Sequence, residues 1–224
     1  MLTAKYVVAG DIVPADPVRS VDEIISLNDL RLTVHGAQLQ VEDFRDERYE
    51  DAVHLARTYV DALGLALRAP LSWKPSRTER LGADGTHEAS ASVSARVVLV
   101  ASTGYKPRML KRGAVPSPEL VTCLSKNPGL SEALAAAASL YRERSFLNAW
   151  TLLSLLREEA GASQNEGLAV LSRLSGKPKE WGNEVATSLN RLRHRDQPSL
   201  DLPECQNRME TMLMALLDAR CASL

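Results

Sequence analysis

Apolar and polar positions follow two different periods along this chain. Up to about residue 100 they alternate in short runs around one long helical stretch; from Pro118 onward they recur every three or four residues. Residues 5–13 form a short β-rich run that ends at Pro14. Residues 30–34 and 37–44 alternate on either side of His35-Gly36, which predicts a hairpin with Leu30, Leu32, Val34, Leu39 and Val41 facing inward. Residues 46–67 predict a helix: Val53, Ala56, Val60, Leu63 and Leu67 share one stripe, and acids crowd its first turn. A further strand is expected at Leu71-Ser72-Trp73, a polar loop holding His87 over 76–88, and a strand entering a covered part of a sheet over 89–101.

Residues 103–118 break every pattern with Gly104, Pro107, Gly113, Pro116 and Pro118. Beyond them, helices are predicted over 118–125, 130–141, 145–160, 166–174, 180–195 and 203–222. The third carries Phe146, Ala149, Trp150, Leu153 and Leu156 on one stripe and stops at Gly161. The last carries Cys205, Met209, Met212, Leu213 and Leu216. The expected fold class is therefore α+β: a small mixed or antiparallel sheet with one helix, followed by an all-α bundle. The expected division is an α+β domain over 1–104, a basic Pro/Gly linker over 105–117 and a helical bundle over 118–224.

Composition narrows the function classes. With 224 residues and a net charge of −1, the chain can bury a real core but has no global pull toward nucleic acid or anionic membrane. Any such binding must come from a local patch. The three cysteines, Cys123, Cys205 and Cys221, lack CxxC or Cys/His spacing, and reduced, buried thiols in a cytoplasmic protein are expected. The opening MLTAKYVVAGDIVPAD carries acids and no long apolar core, unlike a secretory signal. Charges interrupt the Leu/Ala-rich helices well short of the ~20 apolar residues a membrane span needs. His35 is placed in a turn, His54 near the surface of its helix, and no metal spacing links the histidines. Ala9-Gly10-Asp11 follows a strand without GxGxxG or a P-loop, so no nucleotide cofactor is indicated, and there is no DNA-binding motif.

The most chemical stretch is Ser188-Leu189-Asn190-Arg191-Leu192-Arg193-His194-Arg195-Asp196, at the end of the fifth predicted helix of the C-terminal half. Guanidinium is always charged and imidazole titrates near neutrality, so this set suits a phosphate and a proton. Arginine and histidine also favour a helix C-terminus through its dipole alone, by ~0.3–1 kcal/mol. On a helical wheel Trp181, Val185, Leu189 and Leu192 form the apolar face, Arg191 and Arg193 flank it, and Asn190 and His194 point away from the core. Lys106, Arg108, Lys111 and Arg112 form a second basic group, read either as a solvated linker or as a phosphate-contacting loop. Arg157-Glu158-Glu159 closes the Trp150 helix, and its acids suit a solvated helix end better than a catalytic carboxylate.

The order of helices after Pro118 resembles the HEPN superfamily (higher eukaryotes and prokaryotes nucleotide-binding domains). The residues that carry the likeness are Ser139-Leu140-Tyr141-Arg142 ending one helix, the amphipathic stretch 146–159 with Trp150, and 189–194 before a last amphipathic helix. The likeness covers about 118–222, and more loosely the N-terminal half, as in larger bacterial members. It implies a homodimer with an RNA or protein partner, a place in bacterial stress or phage defence and, in many members, metal-independent ribonuclease activity. There the motif is an arginine, a polar residue and, after a short spacer, a histidine that activates the ribose 2′-hydroxyl while the arginine steadies the phosphate. Here Arg193-His194 matches only the first half. Forward of Arg193 the histidine positions hold Pro198, Ser199 and Leu200; backward from His194 the arginine positions hold Thr187, Ser188 and Leu189. The resemblance thus implies an interaction module without catalysis, the alternatives being a ribonuclease using His194 and Arg193, with Asn190 and Arg191 on phosphate or ribose, or a structural assembly protein.

Overall fold

The computed structural model describes residues 6–13, 18, 21–27, 29–44, 49–81, 87–92, 115–161 and 164–221, with backbone alone at 87–92 and 164–165. Six strands and seven helices occur among them. They are β1 (Tyr6–Val13), β2 (Asp22–Leu27), β3 (Leu30–His35), β4 (Gln38–Asp43), α1 (Tyr49–Leu67), β5 (Ser72–Leu81) and β6 (His87–Ser92). The helices α2 (Pro118–Lys126), α3 (Pro128–Arg142), α4 (Phe146–Glu159), α5 (Gln164–Leu174), α6 (Lys179–His194) and α7 (Leu202–Cys221) follow. The architecture is α+β, as the two periods predict.

The strands pair antiparallel throughout, in the order β2-β3-β4-β1-β5-β6. The β3–β4 hairpin forms where alternation placed it, and Gly36 takes a φ of 56° in its turn, a conformation glycine reaches without a Cβ clash. One face of the sheet buries Val8, Ile12, Ile25, Leu32, Val34, Leu39, Val41 and Trp73 against α1. The opposite face is polar and holds a cleft of about 280 Å³ whose lining includes Asp11, Thr33, His35, Gln40, Ser76 and Arg77.

Two expectations for this half are corrected, and one strand is added. Residues 76–81 continue β5 and His87 opens β6, so 76–88 is not one polar loop. The missed strand half reads Ser-Arg-Thr-Glu-Arg, polar on both faces, so no apolar alternation marks it. Strand β2 was also missed: it is an edge strand, and Ile25 is the one buried side chain in it, so no alternation marks it. His35 closes β3, with Gly36 and Ala37 forming the turn, and its Nδ1 lies 3.6 Å from Asp22. The stretch 93–101, the break over 103–114 and Lys106, Arg108, Lys111 and Arg112 lie outside the described residues.

The helical half follows its predicted stripes. Ser117 caps α2 by accepting from Leu120 N (3.2 Å), and Ser145 caps α4 by accepting from Asn148 N (3.2 Å). Helix α4 packs on α3, α5, α6 and α7, and with them buries Leu134, Leu152, Leu153, Leu156, Met209, Met212 and Leu213.

Helix α1 belongs to both cores. Ala52, Leu55, Tyr59 and Leu63 face the sheet, while Ala62, Leu65 and Ala66 enter the helical core. Polar contacts reinforce that join. The Arg68 guanidinium donates to Asn207 Oδ1 (3.2 Å) and buried Glu210 Oε2 (3.2 Å), and Glu210 also accepts from Tyr141 (2.5 Å) and Gln206 (2.9 Å). Arg142 pairs with Asp61, whose carboxyl burial pushes above the usual range while Arg142 and Arg57 pull it back.

The thiol expectation is corrected as well. Cys123 and Cys221 form a disulfide, with Cα atoms 5.5 Å apart across 98 residues of sequence. Cysteine spacing cannot show this, because the fold, not the sequence, sets the end of α7 beside α2. Cys205 is free and buried, and burial pushes its thiol pKa up to about 11.

Candidate nucleic-acid interface

Helix α6 carries the candidate residues, and its sequence fixes how it lies. Pro178 opens it in an extended conformation, and Val185 and Leu189 are fully buried, with Trp181 and Leu192 half-buried beside them. Ser188 is buried on the same side. Its hydroxyl accepts from Leu200 N (3.1 Å) and shares a hydrogen bond with Ser199 Oγ (3.0 Å), tying the connection to α7 back onto the helix.

The helix then ends in a Schellman arrangement. Asp196 N donates to Arg191 O (2.9 Å) and Arg195 N to Leu192 O (3.2 Å). Arg195 holds the left-handed position with φ 61°, where glycine is the usual occupant.

Asn190, Arg191, Arg193, His194 and Arg195 are all exposed, as the wheel predicts for Asn190 and His194. None makes a side-chain hydrogen bond or ion pair among the described residues. The acid Glu184 of the same helix is otherwise engaged: Arg208 of α7 bonds it at 2.8 Å, also contacts Glu204 at 3.1 Å, and stacks on Trp181 with its guanidinium carbon 5.3 Å from the ring centre. One acid of α6 is thus neutralised internally while its terminal cations are left to solvent, with Asp196 the acid next to them in sequence. Such an end presents positive charge outward.

The same arrangement gives His194 no orienting partner among the described residues. A catalytic imidazole is held in one orientation by a third group. His194 has no carboxylate or carbonyl bonded to it among the described residues, and Pro198, Ser199 and Leu200 turn back toward Ser188. His54 is exposed on α1. Among the described residues, no group of three or more His, Cys, Asp or Glu side chains could hold a metal ion. None of the described helices is long and apolar enough to cross a membrane.

A second polar feature was not read from the sequence. Between α4, α5 and α6 lies a cleft of about 410 Å³ lined by Arg157, Leu168, Lys179, Asn183, Ala186 and Thr187. Its trace in the sequence is the four-residue recurrence Lys179, Asn183, Thr187 on the polar side of α6, with Glu180 and Glu184 at the edge of that row. Comparison of the chain with family models, curated proteins and solved structures found no match.

Proposed function

We propose that this protein is a HEPN-like RNA-interaction module that works as a homodimer through its helical half and does not cleave what it binds. The observation that carries the reading is the exposed end of α6, where Arg191, Arg193, His194 and Arg195 stand together without an intramolecular partner among the described residues. Cations left free in this way neutralise phosphates and release counterions, which supplies most sequence-independent affinity for nucleic acid. Asn190 on the same turn adds a donor and an acceptor for ribose or base edges. The likeness in helix order suggests RNA rather than DNA and a role in bacterial stress or phage defence. Adjacent Arg193-His194, with no histidine at Pro198–Leu200, supports binding without catalysis.

The test is fluorescence anisotropy of a single-stranded RNA 20-mer across a salt series, with wild type and the R191A/R193A/R195A variant. Binding is expected to weaken with salt, and the slope of log K against log salt to fall by about 0.7 for each phosphate contact removed. Equal affinity and slope for the two proteins would refute the reading, and a protein partner at the same end would then be the occupant to seek. Incubation of the RNA in EDTA with wild type and His194→Ala is expected to leave it intact in both. Cleavage by wild type alone would instead establish the ribonuclease alternative, with His194 as base and Arg193 on the phosphate.

A further inference from the structure

Among the described residues, the cleft between α4, α5 and α6 is lined by two cations, two neutral hydrogen-bonding side chains and two apolar ones, with no acid. Arg157 sits in the last turn of α4 with its Nε fully buried and unpartnered, and it makes no hydrogen bond or ion pair among the described residues. Burial alone holds its pKa below the usual arginine range; no carboxylate works against it. The contrast within the same bundle is direct. Arg208, also largely covered, is met by Glu184, Glu204 and the Trp181 carbonyl, whereas Arg157 has no polar partner among the described residues. A partly desolvated guanidinium without a counter-charge is unfavourable in the free protein, and an anion relieves that penalty.

The position of Arg157 is also fixed. A Cβ at Gly167 of α5 would come within 3.1 Å of the Arg157 carbonyl oxygen and 3.3 Å of its Cα, so the glycine lets α5 lie directly on this turn of α4. On the far wall Lys179, Asn183 and Thr187 follow one another at four-residue steps, which places them on one side of α6. The Thr187 hydroxyl is already oriented by donating to Asn183 O (3.0 Å).

We propose that this cleft is a phosphoryl-binding site, in which the Arg157 fork and the Lys179 ammonium neutralise the group and the Asn183 amide donates to a remaining oxygen. A planar guanidinium matches two phosphate oxygens at once, and lysine adds a point charge. The site is separate from the arginines at the end of α6 and stands without them. The phosphoryl group has two sources with the same chemistry: a free phosphate ester, or the backbone of an RNA lying along the side of α6 that continues to Asn190 and His194, a run of about 22 Å.

Calorimetric titration separates them, with adenosine 5′-monophosphate, adenosine and a uridine 12-mer as probes. The proteins are wild type, Arg157→Gln, Lys179→Gln and R191A/R193A/R195A. For a free ester, the monophosphate binds wild type and adenosine does not; Arg157→Gln and Lys179→Gln each weaken the monophosphate about tenfold, and the triple variant binds it unchanged. For a backbone phosphate, the monophosphate is silent and the 12-mer is weakened about tenfold by Arg157→Gln and by Lys179→Gln. Either pattern supports the site. If neither probe distinguishes wild type from Lys179→Gln and Arg157→Gln, the proposal is overturned, whatever the triple variant does to RNA. Lys179 is exposed, so its variant decides the matter should Arg157→Gln fold poorly.

Discussion

Two arginines occupy backbone positions that favour glycine, and they do so to different ends. Arg68 (φ 54°) follows α1 and Arg195 (φ 61°) follows α6. The left-handed conformation costs a non-glycine residue about 1 kcal/mol. Arg68 offsets it by reaching buried Glu210 and Asn207, whereas the Arg195 side chain reaches nothing among the described residues. Opposite signs follow for one substitution. Arg195→Gly should raise unfolding stability by about 1 kcal/mol in urea. Arg68→Gly should lower it despite the same relief of strain, because the buried carboxylate loses its arginine. A loss at both positions would show that Arg195 has structural partners of its own. Cys205 gives a second check at this scale. Its buried thiol should not react with a thiol reagent in the native, unreduced protein, and unfolding without reductant should release one thiol per chain, since Cys123 and Cys221 are joined.

Helix ends carry much of the local specification. Replacing Ser145 with alanine removes the acceptor for Asn148 N and should cost about 1 kcal/mol, read from the urea midpoint at constant slope. The helices were legible because each buries one stripe: Trp181, Val185, Leu189 and Leu192 identify the inner side of α6 by spacing alone. Strands declared themselves where their inward positions are apolar and their outward ones polar. Leu32, Val34, Leu39 and Val41 alternate visibly, while the outer half of β5 is polar on both faces and edge strand β2 sets Glu23 inward beside Tyr59 and Ile24 outward, which hides the period. The candidate residues divide in the same way. The basic end of α6 lies on one continuous segment and can be read from it. The cleft draws Arg157 and Lys179 from different helices, and its acid-free character emerges only once α5 has set them on the same opening.

At the scale of the molecule, α1 is the piece that neither half can spare. Separating the chain within 105–117 should leave an N-terminal fragment with Ala62, Leu65, Ala66 and the Arg68 contacts unmet, and a helical fragment lacking the helix that packs on α2 and α3. The N-terminal fragment is expected to be insoluble alone and to gain solubility when co-expressed with the helical one. Independent, well-dispersed NMR spectra from both fragments would show instead that each core closes by itself. The disulfide adds a property of a different kind. It joins Cys123 to Cys221, so α3 through α7 lie inside a covalent ring of chain. Pulling on the two ends of the protein would load the sheet, α1 and α2, then pass straight through the sulfur bridge to the C-terminus. The chain between the cysteines, 98 residue steps long and so roughly 340 Å of contour at about 3.5 Å per residue, would stay folded out of the line of force, to be paid out only after reduction. The surfaces on α4, α5 and α6 would thus keep their shape under tension that strips the sheet from α1.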